Sequence, residues 1–143
     1  MKIQRALTCG FLFASMICAS TVYATLGEPI TREVSLKSLA RDGYTVHEVV
    51  RDGGGKVREY ANPNGIVFGV SWEGGGLPNL EALLGSHFKT FIQEAQFLKQ
   101  RRGPLFVKSG DLTVISGGHQ RDLRGRAFIS KEIPSSLTQE VIR

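Results

Sequence analysis

The sequence predicts an α+β protein in which an antiparallel sheet of about five to six strands, in β-β-β-α-β-β-β order, packs against one long amphipathic helix. Three observations carry this expectation. Leu80, Leu83, Leu84, Phe88, Phe91, Ile92, Ala95 and Leu98 recur at three-and-four spacing, the period of a helix with one apolar stripe. Short runs rich in β-branched and aromatic residues lie on either side, separated by glycine turns. Hairpins flanking a single helix place that helix over one face of a curled sheet.

Each element has its own signals. Tyr44 to Arg51 is extended in style, Asp52-Gly53-Gly54-Gly55 supplies a turn, and Lys56 to Ala61 returns as the second arm of a hairpin. Asn62-Pro63-Asn64-Gly65 is a further turn, because proline fixes φ and glycine tolerates left-handed backbone. Ile66 to Trp72 follows as a third strand, with Ile66, Phe68, Val70 and Trp72 expected on one face and Val67, Gly69 and Ser71 on the other. The smaller face suits close packing by the helix that follows. Glu73-Gly74-Gly75-Gly76 ends the strand, and Asn79 is placed to cap a helix from about Leu80 to about Lys99. Lys99, Arg101 and Arg102 suit the negative end of the helix dipole, and Gly103-Pro104 stops it. Leu105 to Lys108, Leu112 to Ser116 and Arg126 to Ile129 read as short strands, the last two separated by a longer segment, Gly117 to Gly125.

The chain has 143 residues, 41% hydrophobic and 22% charged, with five prolines. That composition argues against a wholly disordered or membrane-embedded protein. Residues 1–24 read as an export leader: Lys2 and Arg5 precede an apolar run from Ala6 to Ala19, and Val22-Tyr23-Ala24 offers a small-residue cleavage pattern before Thr25. The run is shorter than the ~20 residues that span a bilayer, so no transmembrane segment is expected after cleavage. Both cysteines, Cys9 and Cys18, fall inside this leader. A lipid anchor is disfavoured, because Ile17 rather than a small residue precedes Cys18 and Thr8 precedes Cys9. The processed chain would keep 119 residues at a net charge of +3, without a disulfide, held by one small core. Residues 25–43 read as a lead-in, either a short helix or a loose attachment, and 44–143 as a single domain. A periplasmic destination is expected, with an extracellular one as the alternative.

The charge is uneven. Lys99 to Arg143 carries nine basic and four acidic residues, whereas Thr25 to Leu98 carries seven and nine. This modest basicity points to an anionic surface, polymer or protein partner rather than to nucleic acid.

Candidate chemistry concentrates in Ser116-Gly117-Gly118-His119-Gln120-Arg121-Asp122-Leu123-Arg124-Gly125-Arg126. Glycine amides and guanidinium forks there could bind a carboxylate or phosphate. His119, Arg121, Arg124 and Arg126 are therefore the candidate ligand-binding residues, together with Trp72 as the wall of a groove beside a glycine loop. The competing reading is a solvated hairpin whose arginines pair with Asp122, and for Trp72 a place in the core. Ser116, His119 and Asp122 do not make a convincing triad, because triad members converge through folding and no nucleophile-elbow pattern accompanies this serine. No catalytic residue is assigned. His47 and His87 read as strand-surface and helix-boundary imidazoles, and no close cluster of ligands indicates a metal. No cofactor is indicated either: the glycine runs at 53–55 and 74–76 lack the Lys-Ser/Thr of a phosphate loop and the spacing of a dinucleotide fold, and read as turns.

Several blocks together resemble the family called domain of unknown function 2844, small exported proteins of Gram-negative bacteria. They are Tyr44-Thr45-Val46-His47-Glu48, Arg58-Glu59-Tyr60, Pro63-Asn64-Gly65-Ile66-Val67-Phe68-Gly69-Val70-Ser71-Trp72, Leu83-Leu84-Gly85 with Phe88, and Ser116-Gly117-Gly118-His119 leading to Gly125-Arg126-Ala127-Phe128. Two departures stand out: Ser130 where the family often has proline, and His87 where an aromatic often precedes the residue matching Phe88. The resemblance implies export and a single domain, and it supplies no substrate, cofactor or catalytic residue.

The leading expectation is thus an exported envelope protein, more binding or accessory module than enzyme, that contacts an anionic ligand or partner. One alternative is an envelope hydrolase or lyase using His119 with Asp122 or Asp111, which requires those side chains to converge in a concave pocket. Another is an assembly accessory whose exposed strand edges pair with a second chain.

Overall fold

The computed structural model describes residues 24–30, 37–98, 103–119 and 121–143. Its centre is one antiparallel sheet of seven strands: β1 (Lys37–Arg41), β2 (Tyr44–Val50), β3 (Lys56–Ala61), β4 (Val67–Glu73), β5 (Leu105–Ser109), β6 (Leu112–His119) and β7 (Asp122–Ile129). Their spatial order is β1-β2-β3-β4-β7-β6-β5. Two meanders, β1 to β4 and β5 to β7, are therefore joined edge to edge by β4 and β7. Between them in sequence run α1 (Leu80–Leu84), a 3₁₀ turn over Gly85–His87, and α2 (Phe88–Leu98).

The expected class holds, and the details differ in four places. The lead-in contains β1, whose five residues are all exposed and which pairs with β2 from Lys37 opposite Glu48 to Arg41 opposite Tyr44. An edge strand with no buried residue has no apolar alternation to announce it. Residues 31–36 of the lead-in lie outside the described residues, as do residues 1–23 of the expected leader and Lys99, Arg101 and Arg102 at the expected helix end.

The supposed long segment at Gly117 to Gly125 is the second difference. β6 and β7 continue through it in register to His119 opposite Asp122, leaving only two residues to turn. Glycine-rich sequence reads as loop, yet Gly125 is required in the strand: the Trp72 ring from β4 occupies the space a β-carbon would need.

Third, the helix is interrupted. Asn79 caps α1 as expected, its Oδ1 accepting from Ala82 N at 3.1 Å. Gly85 then takes φ 50°, where a side chain would collide with Thr25. The chain N-terminal to the sheet crosses at this point. Leu26 N donates to Leu83 O at 2.9 Å and Gly27 N to Val67 O at 2.8 Å, which inserts Leu26 into the core at 1% exposure.

The fourth difference concerns the faces of β4. A register shift opposite Tyr60 and Ala61 breaks the alternation. Val70 and Trp72 lie with Val57, Leu83, Leu84, Phe91, Val107, Val114, Ala127 and Ile129 in the core under the helix. Phe68 belongs to the other face, with Tyr60, Phe128 and Ile142. The small residues Gly69 and Ser71 are packed by the C-terminal tail and not by the helix: Ile142 sits over Gly69, and Ser71 Oγ donates to Arg143 O at 2.7 Å. The tail covers what the helix leaves bare, so both faces of the sheet's centre are closed.

Ile142, fully buried against aromatic neighbours, anchors that tail. Ile142→Ala should lower the free energy of unfolding by about 3 kcal/mol, read as a reduced urea midpoint with little change in m-value. Lys131→Ala, at an exposed position in the 3₁₀ turn Ser130–Glu132 after β7, should leave the midpoint unchanged.

Candidate functional site

The sequence-selected residues do not form one site. His119 and Asp122 face each other at the exposed end of the β6–β7 hairpin, with Arg121 exposed in the turn. Arg124 is engaged locally, its Nε and Nη2 each 3.1 Å from the carboxylate of Asp122. Asp111 lies at the opposite end of β6, about 25 Å from His119 at the rise of an extended strand. His119, Asp122 and Asp111 line none of the three main grooves. The convergence that a hydrolase or lyase would need is not met by this hairpin.

Trp72 is buried at 2% exposure with its ring laid against Gly125, and its edge also borders the groove that Arg124 and Arg126 line. The glycine turns pack on one another, and Arg51 clamps them by donating to Gly76 O at 2.9 Å and Gly74 O at 3.1 Å. Two of the turn amides are committed to the fold, Gly54 N donating to Arg51 O at 3.0 Å and Gly74 N to Leu123 O at 2.9 Å. Among the described residues, no three His, Cys, Asp or Glu side chains come together as a metal would require.

Arg126 leads to a different constellation. It projects from β7 onto the tail face, where its Nη1 donates to Ile142 O at 3.2 Å. Arg124, Arg126 and Arg143 line a groove of about 410 Å³ floored by Ile115 and Ile142. Across the tail, a second groove of about 560 Å³ is lined by Lys37, Arg41, Arg58 and Arg143 with Leu39 and Val46. Arg143 borders both grooves. Glu48 and Glu73 are the acids lining them, and each is bound by Arg58 at 2.8 Å. Tyr60 supports the tail: its hydroxyl accepts from Arg143 N at 3.0 Å and donates to Arg143 O, which also receives Arg58 Nη1 at 3.2 Å. The tail face is thus a ridge flanked by two shallow basic grooves, lined among the described residues by six basic side chains and two acidic ones.

Lys37, Arg41, Arg58 and Arg143 escaped the sequence reading. Charge counted along the chain put the basicity in the last third. Strand alternation could have found Arg58, which shares a face of β3 with Tyr60; Lys37 and Arg41 lie on β1, whose exposed residues carry no such signal.

The helix face carries a third concavity of about 730 Å³ between α2 and β5, lined chiefly by Leu77, Phe88, Phe91, Ile92, Leu98 and Leu105. It offers apolar contact and no acid–base pair. Phe97 on α2, 84% exposed, stands outside it.

On this same face of the sheet lies a buried carboxylate. Glu59, at 4% exposure on β3, accepts from Ala24 N at 2.8 Å. Its cross-strand neighbours are His47 on β2 and Val70 on β4. Burial pushes the Glu59 carboxyl up to about 7, which the Ala24 N–H only partly offsets. Burial also lowers the pKa of His47.

The fold and these surfaces define a small α+β sheet protein that presents two basic grooves on one face and an apolar groove on the other. The sequence matches, over residues 22–142, the family described as Protein of unknown function (DUF2844), and the chain belongs to that family. No curated protein and no solved structure matches it significantly. No described helix is long and apolar enough to cross a membrane.

Glu59 gives the fold a pH dependence. In a chain continuous through Ala24, the native state keeps a proton that the unfolded state releases above about 4.5. The associated stability is complete below that value and is lost as pH rises through about 7, amounting to at most about 3 kcal/mol. His47 acts in the opposite sense, its contribution being lost as pH falls. Glu59→Gln keeps the acceptor and removes the titration. Urea unfolding of both forms at pH 4.5 and pH 8 should show the variant gaining on the parent at the higher pH, and an unchanging difference would contradict this assignment.

Proposed function

We propose that the protein is an exported, non-enzymatic binding module of the cell envelope that holds an anionic partner on the tail face of its sheet. The observation that carries this reading is the convergence of six basic side chains, from β1, β3, β7 and the tail, on two adjoining grooves with two acids among the described lining residues. Arginine forks suit phosphate and carboxylate groups, and the apolar floor of Leu39, Val46, Ile115 and Ile142 excludes water from part of each contact. The partner class this favours is a phosphate-bearing surface or polymer of the envelope. The leader at residues 1–24 and the family resemblance support export. Of the residues expected from sequence, this reading keeps Arg124 and Arg126, with Trp72 at the groove edge, and leaves out His119 and Arg121.

Binding is tested by sedimentation with vesicles containing phosphatidylglycerol, against neutral phosphatidylcholine vesicles, at low and physiological salt. The parent should bind only the anionic vesicles and weaken with salt. Arg41→Ala and Arg126→Ala should each lower affinity about fivefold, while Arg121→Ala at the tip should change it little. Equal binding by Arg41→Ala, Arg126→Ala and the parent would overturn the assignment of this face.

A further inference from the structure

We propose that Glu59 is the receptor for the α-ammonium group that removal of the leader creates at Thr25, so that processing completes the fold. The proposal rests on the export reading above. Its basis is an imbalance in the structure: Glu59 is a buried carboxylate on a central part of the sheet, and among the described residues the hydrogen bond it receives is from one neutral main-chain N–H, that of Ala24. A buried carboxylate needs more than one neutral donor to offset its lost hydration. An ammonium group supplies a full opposite charge and three donors.

The chain around the cut is already held in place without the leader. Leu26 N is bound to Leu83 O and Gly27 N to Val67 O, Val67 N returns to Glu28 O at 3.0 Å, and Ile30 N reaches Gly65 O at 2.9 Å. Thr25 Oγ1 donates to Ala82 O at 3.3 Å. Thr25 N is one peptide unit from Ala24 N, within about 4 Å, so once Ala24 is gone a small rotation carries the new terminus onto the carboxylate. Hydrolysis of the Ala24–Thr25 bond consumes one water. The new carboxylate leaves on Ala24 with the leader, and the amine remains on Thr25, where it takes up a proton at neutral pH.

Order of events follows from burial. Ala24 is 4% exposed in the folded chain, so cleavage precedes completion of the fold. The precursor is then the less stable species, its buried acid met by the neutral Ala24 N–H and by no counter-charge among the described residues, and the processed chain the more stable one. Of the groups facing Glu59, His47 on β2 is titratable and Val70 on β4 is not. The ammonium is accordingly the counter-charge the site is shaped to receive.

The test uses the exported protein purified from the envelope. Mass spectrometry of the intact chain should give a first residue of Thr25, and a chain that keeps residues 1–24 would refute the export reading. The processed protein is then compared with the same protein acetylated selectively at its α-amine, in the parent and in Glu59→Gln. At pH 7.5 the free-amine parent should melt about 5 °C above its acetylated form, and in Glu59→Gln the two forms should melt together. If the leader is removed and acetylation changes nothing in the parent, or shifts Glu59→Gln equally, export stands and the Glu59 proposal is overturned.

Discussion

The pairing of β4 with β7 is the constraint on which the rest of the structure depends. It brings Gly69 opposite Phe128 and Trp72 opposite Gly125, residues more than fifty apart in sequence, and it makes one sheet out of two meanders. Closing that loop costs chain entropy before any contact offsets it. The return comes at the junction, where the Trp72 ring lies against Gly125. Any side chain larger than hydrogen there would part the two halves.

Once the sheet is continuous it has two apolar faces, and an exposed apolar face of that size would not stay in water. The helical segment closes one face, drawn in by Leu83, Leu84 and Phe91. The tail closes the other through Ile142, beside the ring group of Tyr44, Tyr60 and Phe68, whose centroids lie 6.3 Å apart. This division separates two kinds of surface. The helix side holds the apolar groove and the buried Glu59, and the tail side holds the arginines.

The tail therefore has two roles. It is a structural cover, and it is the ridge that divides one basic surface into two grooves. Arg58 connects these roles: it pairs with Glu48 and Glu73 and also donates to Arg143 O. Shielding of both acids by one guanidinium leaves the surrounding cations to dominate the face. Electrostatics and cover thus depend on the same few contacts.

Local signals were enough for much of this. The three-and-four spacing from Leu80 to Leu98, the Asn79 cap and the turns at 52–55 and 62–65 were legible because each is set by neighbours in sequence. The family was legible in the same way, through blocks such as Pro63 to Trp72. β1 was hidden because a fully exposed edge strand has no apolar period. The hairpin end was hidden because Gly117, Gly118 and Gly125 read as loop until the Trp72 ring is brought across from β4. By itself the sequence determined the class of fold, the helix and its cap, and the uneven charge, all properties of short stretches of chain. Tertiary structure alone decided which arginines share a face, that the Trp72 ring lies against Gly125, and that Glu59 meets Ala24, because each depends on segments far apart in sequence being placed side by side.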